Sequence, residues 1–244
     1  MNKNIEKIKS GVHKIGSEML KCTKYCPGIL LDPENGVLPR CLVFENDGRG
    51  DIRKGCIIIG INPGHSSKYE REFYREKGKG YNGILNYWKN PNSKRRPISE
   101  RSYYKSLRRL ADEFGLTGPI LWTELVKCEK IKGVRSIPLQ TYRTCIRYYL
   151  NKELSLAPEN WPVIAASRRV YNALAYMYPK GNIIGVPHPT GPYANKYFKH
   201  LFYKNTKLLK SVKKMFTRKM GMKFGRIFWL DGKRRGNSLK SLSE

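Results

Sequence analysis

The chain has 244 residues, 40% hydrophobic, with 48 Lys+Arg against 19 Asp+Glu and a formal charge of +29. Length and apolar content suit one sizeable folded domain with extensions, and the charge points to a polyanionic partner, nucleic acid above all. No run of about 18 apolar residues exists to span a membrane, the N-terminus lacks an apolar signal core, and the six cysteines of an expected cytosolic protein suggest metal ligands or buried thiols rather than disulfides.

Ile5, Ile8, Val12, Ile15, Met19 and Leu20 recur at helical spacing and predict a helix over 3–21. Residues 27–40 read as loop, with Pro33-Glu34-Asn35-Gly36 as a turn. The short run 41–44 suits an edge strand, and a polar turn at 46–54 precedes a strong strand at 56–61. Residues 65–98, charged and weakly periodic, read as a long, partly helical surface excursion. A helix follows at 102–114, stopped by Gly118-Pro119, then a strand at 120–125, a helix at 141–150, a strand at 162–166, a helix at 167–177, a strand at 182–186 and a helix at 194–215. Continuous apolar strands alternating with helices predict a parallel sheet covered on both faces. Residues 1–215 are therefore expected to form a single α/β domain, and 216–244 a basic extension with one apolar island, Ile227-Phe228-Trp229-Leu230, either unstructured or docked as an extra strand.

Two strand ends carry the polar chemistry. The first strand runs into Asn62-Pro63-Gly64-His65-Ser66, the last into His188-Pro189-Thr190-Gly191. Strand ends of open α/β sheets feed the crevice where ligands bind. Asn-Pro-Gly is also a good strand-capping turn, and a loop histidine can simply be capped by backbone. Cys22 and Cys26 are separated by three residues, Cys128 and Cys145 by sixteen. Two pairs distant in sequence can furnish a four-thiolate site, or can be buried small hydrophobes.

Gly60-Ile61-Asn62-Pro63-Gly64 resembles the first motif of the uracil-DNA glycosylase superfamily, in the form of its mismatch-specific and single-strand-selective members. His188-Pro189-Thr190-Gly191 is similar to the second motif, and Leu125-Val126-Lys127-Cys128 to the strand end that supplies an iron–sulfur ligand in the cluster-bearing branch. The resemblance covers roughly residues 20–205, the motifs falling in the family's order. It implies a three-layer αβα sandwich with a central four-stranded parallel sheet, and a monofunctional enzyme that flips a damaged base out of DNA and hydrolyses its N-glycosidic bond, since the reacting carbon is unreachable inside the stack.

On that resemblance Asn62 holds the attacking water and His188 stabilises the departing base anion. Ile61, Pro63, Gly64 and His65 line the base site, and Tyr81 stacks on the base, with Tyr69, Phe73 and Tyr74 as rivals. Pro189, Thr190, Gly191, Pro192 and Tyr193 contact DNA, Pro192 or Tyr193 as the wedge. A structural 4Fe–4S cluster would be held by Cys22, Cys26, Cys128 and Cys145, with Cys41 as a substitute ligand.

One position departs from the family. Glu124 stands where the cluster-bearing branch carries an amide that reads the uracil edge. An ionised carboxylate only accepts hydrogen bonds. Glu124 is therefore held protonated, or points away, or the preferred base is not plain uracil. The expected partner is DNA with a damaged base, and the protein a cytoplasmic, nucleoid-associated monomer. Two other readings are a nucleic-acid-binding protein without catalysis and a nucleoside or nucleotide hydrolase, for which so large a charge is unnecessary.

Overall fold

The computed structural model describes residues 3–40, 42–76, 80–89, 97–190, 198–199, 201, 206–217 and 227–230. The fold is α/β, with a mostly parallel six-stranded sheet flanked by helices. Its strands are β2 (Val43–Glu45), β3 (Cys56–Gly60), β4 (Ile120–Glu124), β6 (Val163–Ala165), β7 (Ile183–Gly185) and β8 (Ile227–Trp229), in the order β2-β4-β3-β6-β7-β8. A separate antiparallel pair joins β1 (Ile29–Leu30) to β5 (Glu129–Lys130). The expected sheet had four strands. The two short apolar runs at its margins join it as edge strands, β2 beside β4 and β8 beside β7. The expected boundary at 216 falls inside a helix, and the apolar island beyond it is β8.

By internal contacts the chain divides into two compact units. The first comprises 1–44, 61–101 and 122–158. Here α1 (Lys3–Leu20) buries Ile8, Val12, Ile15 and Met19, the stripe expected from the sequence. Helices α2 (Lys68–Glu76) and α3 (Tyr81–Lys89) occupy the segment expected to be a surface excursion. Their apolar face is built mainly from aromatics, Tyr74, Tyr81, Tyr87 and Trp88 with Ile84, which aliphatic periodicity underweights. Gly16 of α1 admits the Tyr81 ring; a Cβ there would lie 2.2 Å from it. The expected helix over 141–150 is α5 (Leu139–Cys145) followed by a π turn, Ile146–Leu150, and a short α6 (Asn151–Leu154).

The second unit comprises 45–60, 102–121 and 159–244. Strands β3, β6, β7 and β8 pair in parallel, with Ile58 opposite Ile164, Ile164 opposite Ile184, and Ile184 opposite Phe228. Helix α4 (Ser102–Glu113) is tied to Glu45 by the Arg108 guanidinium, which donates to both carboxylate oxygens at 2.6 Å. Ser167 caps α7 (Arg168–Met177) by accepting from the Val170 N–H at 3.2 Å. Trp229 packs edge-on to Tyr171, with the Arg168 guanidinium 3.9 Å over its ring. The last helix described is α8 (Thr206–Thr217). Among the described residues no helix is long and apolar enough to cross a membrane.

Gly185 makes the β8 docking fit, because a Cβ there would lie 2.4 Å from Trp229 and 2.5 Å from Tyr171. Gly185→Ala should lower the unfolding free energy by about 1–3 kcal/mol through overpacking. Urea denaturation reads this as a lower midpoint, and an unchanged midpoint would contradict the packing of Trp229 on β7.

Candidate functional site

The loop after β3 is held by a buried carboxylate. Glu129, fully buried on β5, accepts from the Ser66 N–H at 2.8 Å and the Ser66 hydroxyl at 2.7 Å. His65 Nδ1 lies 3.4 Å from it, an Arg40 nitrogen 3.7 Å and an Arg71 nitrogen 3.8 Å. Burial alone would raise this acid. The Ser66 donors and the Arg40 and Arg71 charges outweigh burial and hold it below the usual carboxylate range. Arg40 also donates to the Gly64 carbonyl and pairs with Glu70 at 3.1 Å. Arg71 Nε donates to the Ser66 hydroxyl oxygen at 2.8 Å. Gly64, His65 and Ser66 are thus gripped from three elements.

Asn62 sits half-buried at the start of this loop, its Nδ2 donating to the Pro63 carbonyl at 2.8 Å. That bond fixes the amide's direction and leaves Oδ1 to accept from a water. Ile61 receives the Val126 N–H at 3.0 Å, Pro63 is buried, and Gly64 and His65 are exposed.

Glu124 ends β4 with its side chain buried, and its Oε2 has no hydrogen-bond partner among the described residues. The nearby cations are engaged elsewhere. Lys127 Nζ donates to Thr123 Oγ1 and Glu153 Oε2, each at 2.6 Å, and to the Glu124 backbone carbonyl at 2.5 Å. Burial, only partly offset by Lys127 and Arg40, pushes Glu124 up to about 8. At neutral pH it is a carboxylic acid that can both donate and accept.

Tyr81 does not fit the stacking role expected of it. It is 2% exposed, its hydroxyl donates to the Leu42 carbonyl, and His13 meets its ring edge-on. Its rival Tyr74 is buried too, whereas Tyr69 and Phe73 are half-buried and lie against Tyr87.

The thiols of Cys26, Cys128 and Cys145 are each raised first of all by burial. Cys26 is pushed up to about 11 by burial, then by Cys145 and Cys22. Cys128 is raised by burial, then by Cys145, Cys22 and Cys26. Cys145 is raised by burial against a hydrogen bond from the Lys127 backbone. The β1–β5 pair and a 2.7 Å hydrogen bond from Thr141 Oγ1 to the Pro27 carbonyl link the three segments that carry them. Cys56, raised to about 12, stands apart: burial comes first, and its electrostatic neighbours are Arg49, Asp112 and Glu45. Among the described residues no three His, Cys, Asp or Glu side chains are close enough to hold a metal ion. Cys41 lies outside the described residues. An all-thiol donor set suits a soft metal centre, and the buried thiols need a nearby cation before they can ionise.

His188, in the other unit, is half-buried beyond β7. Thr190 brackets its Nδ1: the backbone N–H donates to it at 3.2 Å, and the carbonyl oxygen lies 2.9 Å away. Burial lowers its pKa, partly offset by the Thr190 backbone, so the ring is neutral at pH 7. Tyr103 flanks it at 5.2 Å between ring centroids. Pro189 is buried, so a strand cannot reach its ring in this conformation. Gly191, Pro192 and Tyr193 lie outside the described residues.

Sequence reasoning missed Arg40, Ser66, Glu70, Arg71, Glu129 and the Lys127–Glu153 pair. The available signal was the charge in Lys127-Cys128-Glu129, straight after the apolar run of β4. Compared with protein-family models, curated proteins and solved structures, the chain matches none.

Glu124 makes a pH prediction. An acid raised on folding holds its proton more tightly in the folded state, so its contribution to stability is full below the usual carboxylate range. It declines as pH rises through that range to about 8. Glu124→Gln should flatten this part of the profile of urea midpoint against pH; an equally steep profile in the variant would show that Glu124 is already ionised at neutral pH.

Proposed function

We propose that this protein is a DNA glycosylase that extrudes a damaged base, uracil or a related deaminated base, and hydrolyses its N-glycosidic bond. The observation that carries the reading is the grip of Glu129, Arg40 and Ser66 on residues 64–66, which braces the loop that begins with Asn62. A turn residue with only a capping role needs no such buried charged support, which is costly to assemble. The three-layer sandwich with a four-stranded parallel heart belongs to the same reading.

In the proposed reaction Asn62 Oδ1 accepts a hydrogen bond from a water directed at the sugar carbon. The carbon–nitrogen bond breaks as the carbon–oxygen bond forms. The base leaves with its negative charge on oxygen and takes up the proton released by the water. The Thr190 N–H and carbonyl oxygen both face His188 Nδ1, at 3.2 and 2.9 Å, and the proposed reaction uses the tautomer with the proton on Nε2, which donates to the oxygen of the departing base in a hydrogen bond. Because burial disfavours imidazolium, the ring acts as a neutral hydrogen-bond donor. Once its buried Oε2 is uncovered, a neutral Glu124 would offer a hydroxyl donor beside a carbonyl acceptor, the pairing that an N–H next to a C=O requires. The charge of +29 supports binding along the phosphate backbone.

Cys22, Cys26, Cys128 and Cys145 would hold a 4Fe–4S cluster, which would tie the N-terminal segment to β5 and α5 and take no part in hydrolysis. The alternative, a nucleic-acid-binding protein without catalysis, draws support from the burial of Tyr81 and Pro189.

Two tests follow from these roles. In single-turnover cleavage of oligonucleotides carrying uracil or hypoxanthine, Asn62→Ala and His188→Ala should each slow cleavage at least ~100-fold with DNA affinity near wild type. Firm binding with no abasic product from any damaged base would leave the non-catalytic alternative standing. For the cluster, anaerobically purified protein should be brown, with about four irons per chain, and Cys128→Ser should lose both colour and iron. A colourless, metal-free and stable wild-type protein would remove it.

A further inference from the structure

A cleft of about 520 Å³ opens beside the braced loop, lined by Asp32, Asn35, Ser66, Lys68, Arg71 and Arg75. Two elements make its walls. Lys68, Arg71 and Arg75, at i, i+3 and i+7, share one face of α2, which puts three cations in a row. Opposite them is the tight turn over 32–37, closed by the Asp32 N–H to the Val37 carbonyl at 3.0 Å and the Val37 N–H to the Asp32 carbonyl at 2.8 Å. Asp32 accepts from the Asn35 side chain at 2.8 Å.

The walls are locked together. Gly36 has φ +71, and a Cβ on it would lie 2.2 Å from the Arg71 carbonyl oxygen, so the turn rests directly on the α2 backbone. Arg71 is fixed in turn through the Ser66 hydroxyl to buried Glu129. The cleft is therefore preformed. Its two outer cations are only lightly engaged: Lys68 is 93% exposed at 3.9 Å from Glu72, and Arg75 is exposed. Such a contact offsets little of a charge in water.

We propose that this cleft is a nucleotide subsite for the bound strand, with a backbone phosphate on the Lys68–Arg71–Arg75 face and the adjoining sugar and base towards Asp32 and Asn35. The inference rests on the reading of the protein as one that acts on DNA. Its volume suits one nucleotide. A phosphate held on Arg71 would sit two hydrogen bonds from the Ser66–Glu129 brace, so strand binding and the setting of the Asn62 loop would share one support.

The test compares Lys68→Ala/Arg75→Ala with Lys7→Ala/Lys14→Ala, which removes two exposed lysines from α1. Arg71 is left alone because it belongs to the brace. Affinity for a fluorescent single-stranded oligonucleotide is measured by anisotropy across a salt series, alongside cleavage of the uracil-containing strand at saturating enzyme. The cleft variant should bind about tenfold more weakly at physiological salt, with the salt slope reduced by roughly 1.4. The α1 variant should change slope by less than half as much, with cleavage at saturation near wild type. Equal losses in the two variants, or no loss in the cleft variant, would overturn the subsite while leaving the glycosylase reading intact. Wild-type protein that neither binds nor cleaves a strand would overturn both.

Discussion

The Glu129 carboxylate is the constraint on which the first unit turns. A carboxylate this deeply buried is tolerable only with donors and cations around it. Ser66 supplies two donors, and Arg40, Arg71 and His65 gather within 4 Å. Each satisfier does a second task. Ser66 and Arg40 hold the loop after β3, Arg40 engages Glu70 of α2, and Arg71 forms a wall of the basic cleft. One buried charge therefore sets the start of α2, the conformation of residues 64–66 and the shape of the cleft together.

The neighbouring acids follow different rules because their donors differ. Glu153 Oε2 accepts from Lys127 Nζ and Thr123 Oγ1, each at 2.6 Å, inside the fold. Glu124 has buried surroundings without a side-chain donor on Oε2, since Lys127 and Arg40 are spent elsewhere, and so it favours the neutral form. Three acids within 30 residues thus have three settings: Glu129 ringed by donors and cations, Glu153 against Lys127, and Glu124 without a side-chain donor on Oε2. A neutral Glu124 both donates and accepts, whereas an ionised carboxylate only accepts.

The buried thiols Cys26, Cys128 and Cys145 connect with this arrangement through the chain itself. Cys128 immediately precedes Glu129, and β5 pairs with β1 just beyond Cys26. The strand pair that delivers the carboxylate to the loop also brings Cys26 towards Cys128. Cys145 closes α5 at the point where the helix widens into a π turn, a local irregularity often found at functional positions.

Much of the fold was legible in the residues. Apolar runs at 56–61, 120–125, 162–166 and 182–186 form strands because continuous hydrophobicity needs a sheet covered on both faces, and the stripe on α1 follows from helical periodicity. The Pro33–Gly36 turn and the strand-end placing of Asn62 and His188 are equally local, written in neighbours within a few positions. Tertiary structure alone decided which polar residues are buried together. Glu129, Ser66, Arg40 and Arg71 come from four segments, and their pairing depends on distances that no local pattern encodes. Tyr81 shows the same limit: as a lone aromatic it suits a stacking platform or a core residue equally, and the notch at Gly16, 65 positions away, made it core. Glu124 could not be assigned a charge from sequence, since its protonation depends on where Lys127 and Arg40 direct their donors.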